Sequence, residues 1–295
     1  MPENRALLEG FLAAQSARGT PQTLARYARA CQALLEFVGA RPLAALDRHE
    51  LQRALAALHA RGLGPRTLAV TLSAWRRFYR YLAREDARFD VSRLAGLRIP
   101  KAAKRLPNAL TEAQAVHLVA PAAQSPESPE ALRDQAVFEL LYGTGMRVGE
   151  LLALNLSDID LAAAEVRVFG KGRKERVLPL GPPAVTALER WLAVRPASSE
   201  TALFLGARGG RLSASVLRRA LRRRALERGF AERIYPHRLR HSFASHVLQS
   251  SGDLRAVQEL MGHASIASTQ VYTHLDFAHL ARVYDQAHPR AKKRG

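Results

Sequence analysis

Residues 97–108, Leu-Arg-Ile-Pro-Lys-Ala-Ala-Lys-Arg-Leu-Pro-Asn, break the chain in two. Pro100 and Pro107 each fix φ and remove a backbone donor, so no helix or central strand runs through them. The basic side chains repel one another and keep such a segment extended. Cut there, a 295-residue chain leaves two pieces, each long enough to bury its own core. The expected division is an N-terminal domain over 1–96, a linker over 97–108 and a second domain over 109–295.

The first piece reads as four helices. One surrounds Leu7 to Ala17. Thr20-Pro21 starts the next, with a capping hydroxyl and a proline in the first turn, and Gly39 stops it. Asp47 caps a third that ends near Ala60. Pro65 or Thr67 opens a fourth, in which Leu68, Leu72, Trp75, Phe78, Tyr79 and Leu82 recur at helical spacing. Together they form a compact bundle.

In the second piece, Thr111-Glu112-Ala113-Gln114 has capping-box spacing and opens a run of helices to Leu154. The period changes over 155–180. Val166-Arg167-Val168-Phe169 and Arg176-Val177-Leu178 are strand-like runs joined by Gly170-Lys171-Gly172-Arg173-Lys174-Glu175, a hairpin signal. Helices resume near 182 and continue to Tyr284, with breaks at 206–210 and Gly229. The basic tail over 289–295 is expected to be mobile.

Hydrophobic residues make up 47% of the chain, which marks it as globular, and the formal charge is +19. Residues 1–107 hold 19 Lys and Arg against 8 acids, and residues 108–295 hold 26 against 18. A coding bias can favour Arg over Lys but does not remove acids. A surplus shared by both pieces points to one long polyanion, nucleic acid, more than to a membrane, which wants a concentrated basic amphipathic helix. Cys31 is the only cysteine, so an internal disulfide and a cysteine-cluster zinc site are both excluded. No apolar run approaches the ~20 residues of a membrane span, and the charged stretch around Leu7 to Leu12 is too short for a signal peptide. The expected location is the cytoplasm.

Five segments of the second piece carry groups suited to a phosphate in transition. In Gly143-Thr144-Gly145-Met146-Arg147-Val148-Gly149-Glu150 the glycines allow a tight turn, Arg147 emerges at a helix start, and Glu150 is spaced to hold its guanidinium. Lys171 stands in the hairpin turn, where a lysine can reach a groove and donate a proton; Lys174 competes with it. In Pro236-His237-Arg238-Leu239-Arg240-His241, His237 and Arg240 share a helix face opposite Leu239, Phe243 and Val247. Arginine suits bidentate phosphate contact, and histidine moves a proton near neutral pH. His237-x-x-x-His241 lacks the Glu and third ligand of a zinc site, so no metal is expected. Asp253 caps a helix with Leu254, Val257, Leu260 and Met261 as its apolar stripe, Gly262 ends it, and His263 projects from that end. Tyr272, between Val271 and Thr273-His274, has a phenol whose ordinary pKa near 10 requires a cationic surround if it is to be a nucleophile.

Singly, each of these is more often structural than functional. In this order and spacing they resemble the tyrosine recombinase (phage integrase) family, over nearly the whole chain. The stretches 251–260 and 272–277 resemble its Xer subfamily, and the ending His279-Leu280, Val283-Tyr284-Asp285 and His288-Pro289-Arg290-Ala291 resembles one branch of that subfamily. Departures are Met261 for the commoner Leu, Val148-Gly149 for Ile-Ser, and an atypical Phe89-Asp90-Val91-Ser92.

The resemblance implies a mainly α fold with a small antiparallel sheet. A four-helix, SAM-like core-binding domain and a catalytic domain would form a C-shaped clamp on DNA. It implies that Tyr272 attacks the scissile phosphate to give a 3′-phosphotyrosyl intermediate. Lys171 would protonate the leaving oxygen, His237 would manage the tyrosine proton, Arg147 and Arg240 would hold the non-bridging oxygens, and His263 would add a donor. No cofactor, ATP or metal is implied. Arg66, Arg76, Lys101, Lys104, Arg105, Arg173, Lys174, Arg218 and Arg222 are candidate DNA contacts, within a basic run that includes Arg219, Arg223 and Arg224. The implied partners are double-stranded DNA carrying a dif-like site, a XerD-like sister recombinase in a heterotetramer and the septal DNA translocase. The helix after about Asp276 is suited to pass to a neighbouring subunit. Other readings of the same residues are an integron, phage or plasmid recombinase, a type IB topoisomerase, a DNA-binding architectural protein and a metal-dependent nuclease.

Overall fold

The structure is a computed structural model that describes residues 2–17, 19–101, 109–121, 128–170, 175–262 and 274–291. The chain divides into two compact units, Met1–Arg105 and Leu106–Gly295.

The first unit holds four helices, α1 (Pro2–Ser16), α2 (Pro21–Val38), α3 (Arg48–Ala60) and α4 (Pro65–Glu85). Thr20 caps α2 through its hydroxyl, and Gly39, at φ 66°, ends it. Asp47 and Glu50 close a capping box on α3. Pro65, with its preset φ, begins α4 ahead of the other candidate, Thr67, and α1 begins earlier than its apolar residues suggest. Phe11, Leu34, Leu51, Trp75 and Phe78 are buried at the centre, and the Trp75 indole donates to Ala30 O at 2.7 Å. Phe89, Leu94 and Leu97 join the same core, with Ile99 packed against it, so the front of the expected linker is part of the bundle. Residues 102–108 lie outside the described residues.

The second unit opens with α5 (Glu112–Val119), on which Thr111 and Gln114 form a capping box. It continues through α6 (Pro129–Thr144) and α7 (Val148–Ala153), the strands β1 (Ile159–Asp160), β2 (Glu165–Phe169) and β3 (Glu175–Pro179), and α8 (Pro182–Val194). The last helices are α9 (Ala214–Glu227), α10 (Pro236–Ser251), α11 (Leu254–Met261) and α12 (His274–Ala287). The sheet is antiparallel in the order β1-β2-β3, with Val166 opposite Leu178 and Val168 opposite Arg176. β1 was not foreseen: two residues carry no alternation, and only pairing with β2 makes them a strand.

Buried almost throughout, α6 is the core around which the unit is built. On α10, the Ser242 hydroxyl accepts from Leu110 N at 2.9 Å, and His246 bridges Leu110 O and the Tyr142 hydroxyl, at 2.8 and 2.9 Å. Leu280, Val283, Tyr284 and Ala287 of α12 are buried in the core of their own unit. The expectation of a mobile tail from residue 289 is corrected for its start, because Arg290 pairs with the buried Glu139 of α6 through two nitrogens, Nε to Oε2 at 3.0 Å. Among the described residues no helix is long and apolar enough to cross a membrane.

Candidate active site

Asp253 accepts from Ala256 N at 2.8 Å to start α11, and Gly262, left-handed at φ 61°, ends it. Leu254 of the expected stripe is exposed, and Ala256 is buried with Val257, Leu260 and Met261 in its place. The last carbonyls of a helix have no partner within it and carry its negative end. Here three successive carbonyls take three different arginines. Arg176 Nε donates to Leu260 O at 3.1 Å, Arg240 Nη2 to Met261 O, and Arg147 Nη2 to Gly262 O at 3.1 Å.

Each arginine arrives from a different element. Arg147 is the residue just before α7, where Gly145 has turned the chain with φ 62°. A Cβ at Gly145 would run into the Phe243 ring, so only glycine permits this approach. Gly145 O accepts from Arg240 Nη1 at 2.6 Å. Arg240 lies on α10, one turn below its start, and is only 4% exposed, whereas His237 on the first turn is exposed. The two therefore differ in depth although three residues apart. Arg176 is on β3, facing inward.

Glu150 binds the set together. Its carboxylate accepts from Arg147 N at 2.7 Å, Arg147 Nη1 at 2.8 Å, and Arg176 Nη1 and Nη2 at 3.0 and 2.8 Å. Burial works to raise its pKa, but the bonds from Arg176 and Arg147 outweigh that and hold it at about 2. Burial, with the nearby Arg147 charge, lowers the Arg240 guanidinium to about 10, against the pull of Glu150; it stays protonated at neutral pH. Three guanidiniums against one carboxylate leave a positive centre in a partly dry setting, where an anion is bound more strongly than in water.

Arg176 was not among the sequence candidates. Its signal is an arginine in phase with Leu178 on a strand whose alternate residues point into the core. Lys171, His263 and Tyr272 lie outside the described residues, as do Lys104, Arg105, Arg173 and Lys174. Arg66 is exposed on the first turn of α4, and Lys101 is exposed. Arg76 is half-buried, with Nη2 3.4 Å from Leu94 O. On α9, Arg218, Arg219 and Arg222 are exposed. The basic run is not uniform: half-buried Arg224 donates to Ala120 O and Gln135 Oε1 at 3.2 and 3.1 Å, and Arg223 donates to Asp134 Oδ2 at 3.3 Å. Arg224 is drawn inward by those acceptors, whereas Arg223 stays exposed and only its tip meets Asp134.

A model of the phage integrase family matches residues 108–279, and one of the phage integrase N-terminal SAM-like domain matches residues 8–86. The chain is 50% identical to tyrosine recombinase XerC of Alcanivorax borkumensis, across 95% of this chain and 92% of that protein. It is 30% identical to a XerA recombinase of known crystal structure, with a TM-score of 0.51 and coverage of 97% of this chain and 99% of that one. A XerH site-specific recombinase, solved with a palindromic difH substrate after cleavage, shares the fold at a TM-score of 0.68 and 23% identity, over 89% of this chain and 79% of that one.

Proposed function

The chain belongs to the phage integrase family of tyrosine recombinases, and from that premise we propose that it cuts and rejoins duplex DNA through a covalent bond to Tyr272. The observation that carries the reading is the placing of Arg147 and Arg240 on adjacent carbonyls at the end of α11. A guanidinium has five N–H groups. Among the described residues, two on each of these arginines are engaged, which leaves donors for the non-bridging oxygens of a phosphate. Fixed donors of this kind stabilise the charge that builds in a pentacovalent state without reorganising as it forms.

In the reaction, Tyr272 attacks phosphorus and the 5′-oxygen leaves, taking a proton from Lys171. His237, exposed at the start of α10, accepts the tyrosine proton and later returns it. His263 follows Gly262 in the chain and adds a further donor. The phosphotyrosyl ester conserves the bond energy, so the rejoining step, attack by a 5′-hydroxyl, needs no nucleotide. Glu150 positions Arg147 and touches no substrate. Each unit offers its own phosphate contacts, Arg66, Arg76 and Lys101 in the first and Arg218 and Arg222 in the second.

The identity to XerC-named relatives over nearly the full chain supports a chromosome-dimer-resolving role before cell division. The enzyme would act at a dif-like site, in a heterotetramer with a XerD-like sister and alongside the septal translocase. The test is a duplex bearing such a site with a nick beside the scissile phosphate, so that a short fragment departs and the covalent state accumulates. With the sister recombinase present, wild type yields a chelator-resistant protein–DNA adduct and Tyr272→Phe yields none. An adduct from Tyr272→Phe, or none from wild type, overturns the reading.

A further inference from the structure

We propose that Arg176 is a positioning residue for strand cleavage, setting Arg147 through Glu150 and holding the end of α11 in register with both. The inference rests on the reading of Arg147 as a phosphate-holding group.

Three of the Arg176 nitrogens are engaged: Nη1 and Nη2 with the two oxygens of Glu150 and Nε with Leu260 O. Its side chain is 5% exposed, and so is that of Glu150. Such a buried pair is a weak source of stability, since taking both charges out of water offsets their attraction. What it supplies is direction. The fork of Arg176 fixes the plane of the Glu150 carboxylate, and that carboxylate fixes the Arg147 guanidinium and backbone. The same guanidinium lies against Gly262, where an added Cβ would stand 2.8 Å from Nη1 and 2.9 Å from Cζ. The chain can leave α11 beside Arg176 only because that residue is glycine.

Arg176 thereby ties together three stretches that each bear a proposed catalytic group. Arg147 is held through Glu150. His263 is the next residue after Gly262. β3 is the return strand of the hairpin whose turn carries Lys171 in sequence. A lysine keeps the charge but not the fork, so it cannot hold Leu260 O and both Glu150 oxygens at once.

The test uses the full chain with the nicked duplex and the sister recombinase, under single-turnover conditions. Arg176→Lys and Arg176→Met are compared with wild type for folding by circular dichroism, for DNA affinity by titration, and for cleavage rate at saturating DNA. Affinity within about twofold of wild type is expected, with cleavage slowed about 100-fold for Met and about 10-fold for Lys. If the Met variant does not fold, the Lys variant decides. In a Glu150→Gln/Arg176→Lys double variant the loss is no larger than the larger single loss, because both act on Arg147 along one route. Cleavage by a folded Arg176 variant within about threefold of wild type overturns the inference, as does weakened binding at an unchanged rate, or losses that multiply in the double variant. If wild type itself forms no adduct, the Tyr272 reading falls and takes this one with it. Normal wild-type cleavage beside unimpaired Arg176 variants removes the inference alone.

Discussion

Arg290 reaches from beyond α12 to the buried carboxylate of Glu139 on α6, with Nε 3.0 Å from Oε2 and Nη2 on the other oxygen. Burial pushes the Glu139 carboxyl up, while Arg290 and Gln135 pull it down. Replacing Arg290 by Met leaves that carboxylate without its cation, which costs about 3 kcal/mol at neutral pH. The sign of the pH dependence follows. A carboxyl whose folded pKa is raised is least costly below its unfolded value, near 4.5, and loses stability as pH rises through the folded pKa. The Arg290→Met deficit in urea unfolding is therefore expected to shrink from pH 7 toward pH 4.5. A deficit that grows on acidification would contradict it.

His288 gives the opposite slope. It is fully buried against Tyr142, Phe243 and Tyr284, and its Nδ1 accepts from Arg290 N at 3.2 Å. Burial, then the His246 and Arg290 charges, lowers it to about 3 from 6.5. Below pH 6.5 the unfolded chain binds a proton that the folded chain refuses, so stability falls as pH drops from 6.5 toward 3. Between pH 7 and pH 5 this one group removes about 2 kcal/mol. In His288→Phe the corresponding part of the slope disappears, which paired denaturation curves at the two pH values would show.

The features that were readable in sequence are those whose cause is local. Thr20, Asp47, Thr111 and Asp253 each cap the helix that follows within three residues, and Gly39 and Gly262 each end one. The hairpin strands alternate, and α4 repeats its apolar residues at helical spacing. What was not readable depends on distant partners. An arginine on a strand, one in a basic helix and one in a basic tail look alike until Glu150, Gln135 and Glu139 are brought to them. Arg176, Arg224 and Arg290 are those three, with partners 26, 89 and 151 residues away. In the site, the kind of residue was visible as Arg147 and Arg240, but the carbonyls of α11 that collect them were not.

Gly145 lies where conformation and space both exclude a side chain. Its φ of 62° is unfavourable for other residues, and the Phe243 ring occupies the position of a Cβ. Gly145→Ala is expected to cost about 2–5 kcal/mol, from left-handed strain plus overpacking. Because Gly145 O also holds Arg240, residual folded protein should cleave DNA slowly. Gly209 has φ 78° with no atom within 4 Å of where a Cβ would stand, so Gly209→Ala should cost only about 1–3 kcal/mol and leave cleavage unchanged. Equal urea midpoints for the two variants would count against the Phe243 contact.

On α9, exposure separates arginines that the sequence presents as one run. Arg218 and Arg222 are exposed and four apart, on one helix face. Each phosphate contact releases counterions, so removing both as Arg218→Ala/Arg222→Ala should reduce the slope of log affinity against log salt by about 2. Arg224 is held by Ala120 O and Gln135 and lies over the Phe138 ring, 5.2 Å from its centre. Arg224→Met should cost about 2 kcal/mol in unfolding and leave the salt slope unaltered, because that guanidinium serves the core. Filter binding over a range of salt concentrations, with unfolding measured on the same preparations, separates the two roles. A slope change in Arg224→Met would move it back to the DNA face.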